Sequence, residues 1–472
     1  MVVVPAEGSE IFAGETADPY ALAVRAYVWG FALVEAARLR QNLTRPADPF
    51  GERSPTSPGA PLNNVGHQRR LSDPSFDAGV APNVDTLYSV AWLDLADEPF
   101  VLETPDFGSR YYTVQLAYGD GSADVSLGAR THGSKLPPVF VSRRETASPA
   151  EMVAVSSPTR HFMIAGRILV DPADPSDLDA VHELQAGTRV RPWSKYRAGD
   201  SELPNAARAQ RPLENPGETI APELRFLHEL GNVLQDDAVP RQEQALAVSF
   251  GAIGLTLERG FEPASLSASA KAEVVRGLAR GGELVEHRSR NLGKNVNGWT
   301  TNYAGPRFGD DYLLRSAVAK DQIYVTVPEE ALYPVAAVDA EGLPLHGRNA
   351  YCMTFPPGGL PPVDAFWSLT MYARNPPLVA NPIGRYAIGD RTPGLVAGTD
   401  GSLPIQIQHA RPTANDVNWL PAPQGPFHLM LRLYVPRSQA LDGSWAPPPV
   451  ERAAEVGKRP NARHLIQRGS AA

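Results

Sequence analysis

Between Ala81 and Leu95 the sequence reads APNVDTLYSVAWLDL, and Asn83, Asp85, Thr86 and Tyr88 fall among Val84, Leu87, Val90 and Trp92. A carboxylate flanked by an amide, a hydroxyl and a phenol is costly to bury unless each group finds a partner. The run is therefore either a structural polar network or a site. Further on, RYYTVQLAYG puts Tyr111, Thr113 and Gln115 on one face of an extended segment, and Arg130-Thr131 closes the next extended run. If that face lies beside Asp85, an Asp–Tyr–Arg group results. Asp85 then serves as general base, its pKa set by burial against the Arg130 charge. Tyr88 or Tyr111 donates a proton to a leaving group or developing oxyanion. Arg130 clamps an anion. Asn83, Thr86, Gln115, Trp92 and Tyr372 complete the set as substrate-binding residues. The alternative is a buried Asp–Arg pair, with tyrosine hydroxyls satisfying strand edges.

A second polar set lies near the C-terminus. Ser368, Thr370 and Tyr372 share one strand face, with Arg385 and Tyr386 nearby. Outer faces of sandwiches are normally polar, so solvation accounts for Ser368 and Thr370. GDRTPG reads as a turn in which Asp390 pairs with Arg391. Trp92, Phe366, Trp367 and Trp419 are expected in the core. HExxH, CxxC, GxGxxG, Walker A and GxSxG motifs are absent, as is an EF-hand loop. His67, His132, His409 and His428 would form a metal site only if the fold brought them together. The single cysteine, Cys352, excludes an intrachain disulfide and is expected as a small buried hydrophobe. No metal or organic cofactor is therefore called for.

The elements that must position these residues follow from periodicity. Asp18-Pro19 opens a helix running to about Gln41, apolar nearly all round and so buried. Strands follow in EPFVLETP, RYYTVQLAYG, VFVSR and HFMIAGRILV, and a short helix over Asp174 to Leu184. From about Pro222 to Asn291 helix formers dominate, including Arg241 to Arg259 and the ARGGEL run. Strands return in QIYVTVP, YCMTFPP, FWSLTMYA, IQIQHARP and FHLMLRLYV. The last alternates so regularly that a half-buried strand is expected. Trp445 is expected to dock an extended tail.

With 472 residues, 46 prolines and 40 glycines, the chain suits two or more domains rich in turns. A net charge of −8 argues against nucleic acid as the main partner. The basic run Arg463 to Arg468 reads as a solvated end. Neither a secretory leader nor a membrane span is recognisable, so a cytoplasmic protein without a membrane partner is expected.

Two groups of motifs carry a family resemblance. APNVDTLYSVAWLDL, RYYTVQL and AYVWGFALVEAAR resemble the domain of unknown function 1254. RFGDDYLLRSAVAKDQIYV, CMTFPPG, LPPVDAFWSLTMY, NPIGRYAIGDRTPGL, NWLPAPQGPFHLMLRLYVP and GSWAPPPV resemble its C-terminal companion, number 1214. The resemblance implies two β-sandwich or jelly-roll modules with helices packed against them, and no agreed reaction. The expected division is 15–195 and 299–440 for the two domains, 196–298 for a linker and helical section, and 441–472 for an extended tail. The fold class is α+β, mainly β, with two antiparallel sandwiches.

Two functions fit. One is a cofactor-independent enzyme, a hydrolase or lyase, using Asp85 with tyrosine and arginine partners on a small organic or carbohydrate-like substrate. The other is a ligand-binding or self-assembling protein, a homo-oligomer whose polar network is structural. A concave pocket reaching Asp85 separates the first from the second.

Overall fold

The structure, a computed structural model, describes residues 9–44, 54–76, 81–143, 146–171, 173–200, 210–213, 220–237, 239–374, 377–412 and 418–453. The basic run at 463–468 and parts of the expected linker lie outside them. The fold is mixed α+β, with sheets in the N- and C-terminal regions and helices between.

The N-terminal sandwich packs a five-stranded antiparallel sheet on a four-stranded one. The central strands of the first are Thr86–Asp94, His161–Leu169 and Tyr112–Tyr118. Alternation sends Leu87, Ala91 and Leu93 inward against Phe100, Leu102, Val139 and Val141 of the second sheet. The C-terminal sandwich repeats the plan. A seven-stranded sheet centred on Val363–Ala373 and Phe427–Pro436 packs on a four-stranded sheet. Leu369, Leu429, Leu431 and Leu433 meet Met353, Ile405 and Ile407 there. Each sandwich departs from purely antiparallel pairing once: Val139–Ser142 runs parallel to Val153–Ser156, and Leu403–Gln408 parallel to Trp419–Pro421.

The helix Pro19–Thr44 starts where the Asp18-Pro19 pair places it, with the Asp18 carboxylate accepting the Ala21 N–H at 3.2 Å. It is long and apolar enough to cross a membrane, yet most of it is buried against the rest of the protein. The glycines of the ARGGEL region explain how closely Ala268–Ser289 lies on it. A Cβ at Gly277 would stand 2.4 Å from the Tyr20 carbonyl, and one at Gly281 would stand 2.6 Å from Tyr27 Cβ. Arg315, on the helix Tyr312–Asp321, joins the helical layer to the N-terminal sandwich. Its Nη1 reaches Asp120 at 3.1 Å and Glu243 at 3.0 Å, and its Nη2 donates to the Trp29 carbonyl. Glu243 also accepts the Trp29 indole N–H at 2.7 Å.

Several expectations are corrected. QIYVTVP forms no strand: Tyr324 adopts φ 57°, and the carbonyls of Tyr324 and Val325 accept the Gln115 side-chain amide instead of a ladder partner. The helix placed at Asp174 begins at Asp177, because Asp174 is used in a turn that accepts the Ser176 N–H. The helical reading of Arg241 to Arg259 holds as far as Ile253, as an α-helix over Gln244–Ser249 between the 3-10 helices Arg241–Glu243 and Phe250–Ile253. Gly254 then takes φ 76° and the chain turns into the short paired strands Leu255–Thr256 and Gly260–Phe261. Cys352 is half-buried, pointing away from the core beside Thr354 as the period-two alternation requires. Trp445 does dock, donating to the Gly359 carbonyl at 3.1 Å.

Replacing Arg315 by Met should lower stability by about 3–5 kcal/mol, because Asp120 and Glu243 would remain as buried carboxylates without a cation. Urea denaturation measures it, and a loss well under about 1 kcal/mol would show that the helical layer does not depend on this arginine.

Candidate functional site

The Phe427–Pro436 strand is not half-exposed: both of its faces are covered. One face lies in the core of its own sandwich, while Phe366, Ser368, Thr370 and Tyr372 with Met430, Arg432 and Tyr434 turn toward the N-terminal sandwich. The solvated reading of Ser368 and Thr370 is overturned, since they are 2% and 0% exposed. Opposite them stands the outer face of the N-terminal sheet, carrying Thr86, Tyr88, Tyr111, Gln115 and Arg167. The polar residues of both domains thus meet at the junction between them.

Asp85 ties this junction together. Its Oδ1 accepts from Arg391 Nη2 at 2.6 Å and its Oδ2 from Ser368 Oγ at 2.5 Å. Arg391 also donates to the Val170 carbonyl and lies 4.5 Å over the Phe366 ring. The expected Asp390–Arg391 turn pair is therefore replaced by a bond between domains. Asn83 shapes the turn before Asp85: its Oδ1 accepts the Asp85 and Thr86 N–H groups, and its Nδ2 donates to the Tyr434 hydroxyl at 2.8 Å.

The structure does not build the expected Asp85–Tyr111–Arg130 group. Arg130 pairs with Glu330 at 2.9 Å, and the Tyr111 hydroxyl donates to the other Glu330 oxygen at 2.7 Å. Burial and the Glu330 charge hold the Tyr111 phenol well above its ordinary value, so it is a weak acid. Trp92 sits away from the junction, edge-on to Tyr324 in a separate apolar cluster. Gln115 and Tyr372 are connectors. Gln115 accepts from Arg167 Nη2 at 2.9 Å; Tyr372 donates to the Pro82 carbonyl and accepts from Arg432 at 2.6 Å.

What emerges is a second constellation around Tyr88. Arg167 faces Tyr88 across paired strands, its guanidinium 4.9 Å from the ring centre. Arg167 is 7% exposed and Arg432 3%. Among the described residues neither has a carboxylate in ion-pair contact, because Asp85 is taken by Arg391 and Glu330 by Arg130. Arg432 donates to Thr370 Oγ1, the Ala81 carbonyl and Tyr372. Arg167 is less well satisfied: among the described residues its Nε and Nη1 are buried without a hydrogen-bond partner, as is Thr86 Oγ1.

Electrostatics then separate the phenols. Burial pushes the Tyr434 hydroxyl well up, raises Tyr372, and takes Tyr333 to about 12. Burial also acts to raise Tyr88, but the charges of Arg167 and Arg432 outweigh it and hold its pKa below the ordinary phenol value. His428, stacked on Tyr372, is pushed down to about 4 by burial and the Arg432 charge, so it stays neutral. Val435, beside Tyr434, is held at φ 51°, a costly conformation for a β-branched residue and of the kind that clusters at functional sites.

A cleft of about 440 Å³ opens on the outer side of this junction, lined in part by Asp85, Ser368, Trp367, Tyr386, Arg391 and Asp73. Val84 lines the cleft, and it and Tyr386 pack beside Tyr333 and Tyr372. Tyr88 and Tyr333 keep partial accessibility, so the two sheets do not close fully over them. The histidines do not converge. His67 bonds to Ser89, His132 to Thr131, and His409 to the Ala422 carbonyl. Among the described residues no group of three or more His, Cys, Asp or Glu is arranged to hold a metal ion.

Arg167, Arg432, Tyr333, Tyr434 and Glu330 were not singled out by sequence. The available signal was an arginine inside each of two apolar strands, HFMIAGRILV and FHLMLRLYV.

The comparisons agree with this architecture. The family model described as Protein of unknown function (DUF1254) matches residues 62–192, and that of DUF1214 matches 330–438. The chain belongs to the family that pairs these two domains. It is similar to the VPA0106 protein from Vibrio parahaemolyticus, with 22% identity and a TM-score of 0.65 over 92% of this chain and 100% of that one. An uncharacterized protein from Burkholderia cenocepacia gives 13% identity and a TM-score of 0.42 over 94% of this chain and 92% of that one. Among curated proteins none matches. The likeness to the Vibrio parahaemolyticus protein shows the fold. The 62–192 match contains Tyr88 and Arg167, and the 330–438 match contains Arg432 and Tyr434, so the junction is built from both family domains.

A double-mutant cycle with Asp85→Ala and Arg391→Ala should show a favourable coupling of about 1–3 kcal/mol, since the two groups form a largely buried charged hydrogen bond between domains. Coupling indistinguishable from zero in urea titrations would mean that this pair does not join them.

Proposed function

We propose that this protein is an enzyme that performs acid–base chemistry on a small organic or carbohydrate-like substrate, as a hydrolase or lyase, with Tyr88 as the base. One observation carries this reading: the Tyr88 phenol is pushed down by two guanidinium charges while its neighbours Tyr333 and Tyr434 are pushed up. Titratable groups whose environments drive their pKa values apart are suited to opposite roles. Tyr88 as phenolate accepts a proton, and Tyr434 or Tyr333 as neutral phenol returns one. Arg167 and Arg432 stabilise the negative charge that develops on the substrate in a low-dielectric setting.

This arrangement suits elimination better than hydrolysis. A base between two cations removes a proton from a carbon beside an electron-withdrawing group, and the cations hold the resulting anion while the leaving group departs. Asp85 is not the base in this scheme, because both of its oxygens are engaged by Arg391 and Ser368. It is a positioning residue that joins the two domains beside Tyr88 through Arg391 and Ser368. The reading invokes no cofactor. It takes Pro19–Thr44 as the core helix of a cytoplasmic protein, because that helix is mostly buried.

The test is untargeted mass spectrometry of a metabolite extract incubated with the purified protein and with Tyr88→Phe. A compound consumed by the parent should be consumed roughly 100- to 10,000-fold more slowly by the variant. Its kcat/KM in the parent should rise with pH and level off below the ordinary phenol range, because the base acts deprotonated and its pKa is lowered. Equal turnover by two equally folded proteins would remove Tyr88 from the chemistry.

A further inference from the structure

The positive charge at the junction is not balanced by protein. Asp85 is bonded to Arg391 and Glu330 to Arg130, which leaves Arg167 and Arg432 among four tyrosines and neutral His428; the charge of the already paired Asp85 reaches Arg432, but neither arginine has a carboxylate in ion-pair contact among the described residues. Two buried guanidinium groups in such a place are costly unless an anion compensates them. The polar atoms without partners point the same way. Arg167 Nε and Nη1 are donors without an acceptor, and Thr86 Oγ1 lies two residues from Tyr88 on the same strand face. The surroundings are aromatic: Tyr88 and Tyr333 keep partial accessibility beside the buried Tyr434, and Arg167 stands over the Tyr88 ring.

We propose that the junction beside Tyr88 and Tyr333 binds a small organic acid with a flat unsaturated body, its carboxylate compensating Arg167, with Arg432 supplying the second positive charge and the tyrosine rings covering the body. The proposal rests on the catalytic reading of the same site and names its substrate class. It also supplies the acidity the reading requires. A carboxylate held by arginine acidifies the C–H of a saturated carbon beside it. In a substrate of this class Tyr88 would take that proton, the C–H electron pair would form the new double bond, and the leaving group would depart from the next carbon with its bonding electrons. Benzoate serves as an unreactive probe of the binding alone.

Benzoate is the probe, with benzamide as its uncharged counterpart of nearly the same shape, and acetate and inorganic phosphate as further anions. Calorimetric titration of the full-length protein should show saturable benzoate binding and at least tenfold weaker benzamide binding. Arg167→Met should weaken benzoate at least tenfold. Arg437→Gln, which alters an exposed arginine paired with Asp364, should leave it unchanged. If Arg167→Met fails to fold, Arg167→Lys takes its place, keeping the charge and losing donors.

An independent readout is the near-ultraviolet absorbance of tyrosinate. The groups facing Tyr88 are Arg167, Arg432, Tyr333 and Tyr434, so an added anion there should move one phenol titration to higher pH. That movement should be missing in Tyr88→Phe. Equal binding of benzoate and benzamide overturns the proposal. So does the absence of binding by both acetate and benzoate, or binding by phosphate alone. If Tyr88→Phe loses turnover but no carboxylate binds, the catalytic reading stands and this one falls. If benzoate binds as expected but Tyr88→Phe turns over normally, the reverse holds.

Discussion

Two sandwiches share a polar face, and that constraint governs the molecule. Strands Thr86–Asp94, His161–Leu169, Val363–Ala373 and Phe427–Pro436 are covered on both sides: one face by the partner sheet of their own sandwich, the other by neighbouring layers and the second domain. Every polar group placed on the shared face must find a partner or be exposed to bound ligand. The structure meets most of this demand with bonds between domains: Arg391 to Asp85, Ser368 to Asp85, Asn83 to Tyr434, and Tyr111 to Glu330. Neither sandwich could keep these groups satisfied without the other.

The helical layer serves the same end from outside. Arg315 gathers Asp120, Glu243 and the Trp29 carbonyl, tying the loop after Tyr112–Tyr118 to the long N-terminal helix. Gln115, on the same strand, bonds to the Tyr324 and Val325 carbonyls with one end and to Arg167 with the other. The orientation of Arg167 therefore depends, through Gln115, on a segment that follows a helix far away in sequence. This is why QIYVTVP, apolar and β-branched, is drawn out of any sheet.

The chemistry depends on what remains unsatisfied. Where the carboxylates are used up, the arginines are not, and a phenol between them is easier to ionise than a phenol in water. The same burial that raises Tyr111, Tyr333 and Tyr434 would raise Tyr88 if Arg167 were not over its ring. One strand position, set against an arginine two strands' width or less away, thus separates a candidate base from its candidate acids.

The sequence alone determined most of the local elements, the mixed α+β class with its two family domains and the suspicion attached to APNVDTLYSVAWLDL, while QIYVTVP and the start of the helix at Asp177 departed from it. Asp18 capped a helix as read, Trp445 docked, and the strand alternation assigned which residues share a face. Of the site residues read from sequence, Asn83, Asp85, Thr86, Tyr88, Tyr111, Gln115 and Tyr372 lie at or beside the junction, Arg130 reaches it only through Glu330, and Trp92 does not. Tertiary structure decided the pairings. Arg130 went to Glu330 rather than Asp85, Arg391 reached past Asp390, and Arg167 and Arg432 came together from separate domains. The physical reason is that period-two alternation tells which side chains point the same way but not what covers them. A strand with one polar face looks alike whether that face meets water or another domain, and only the second case changes the energy of a charge.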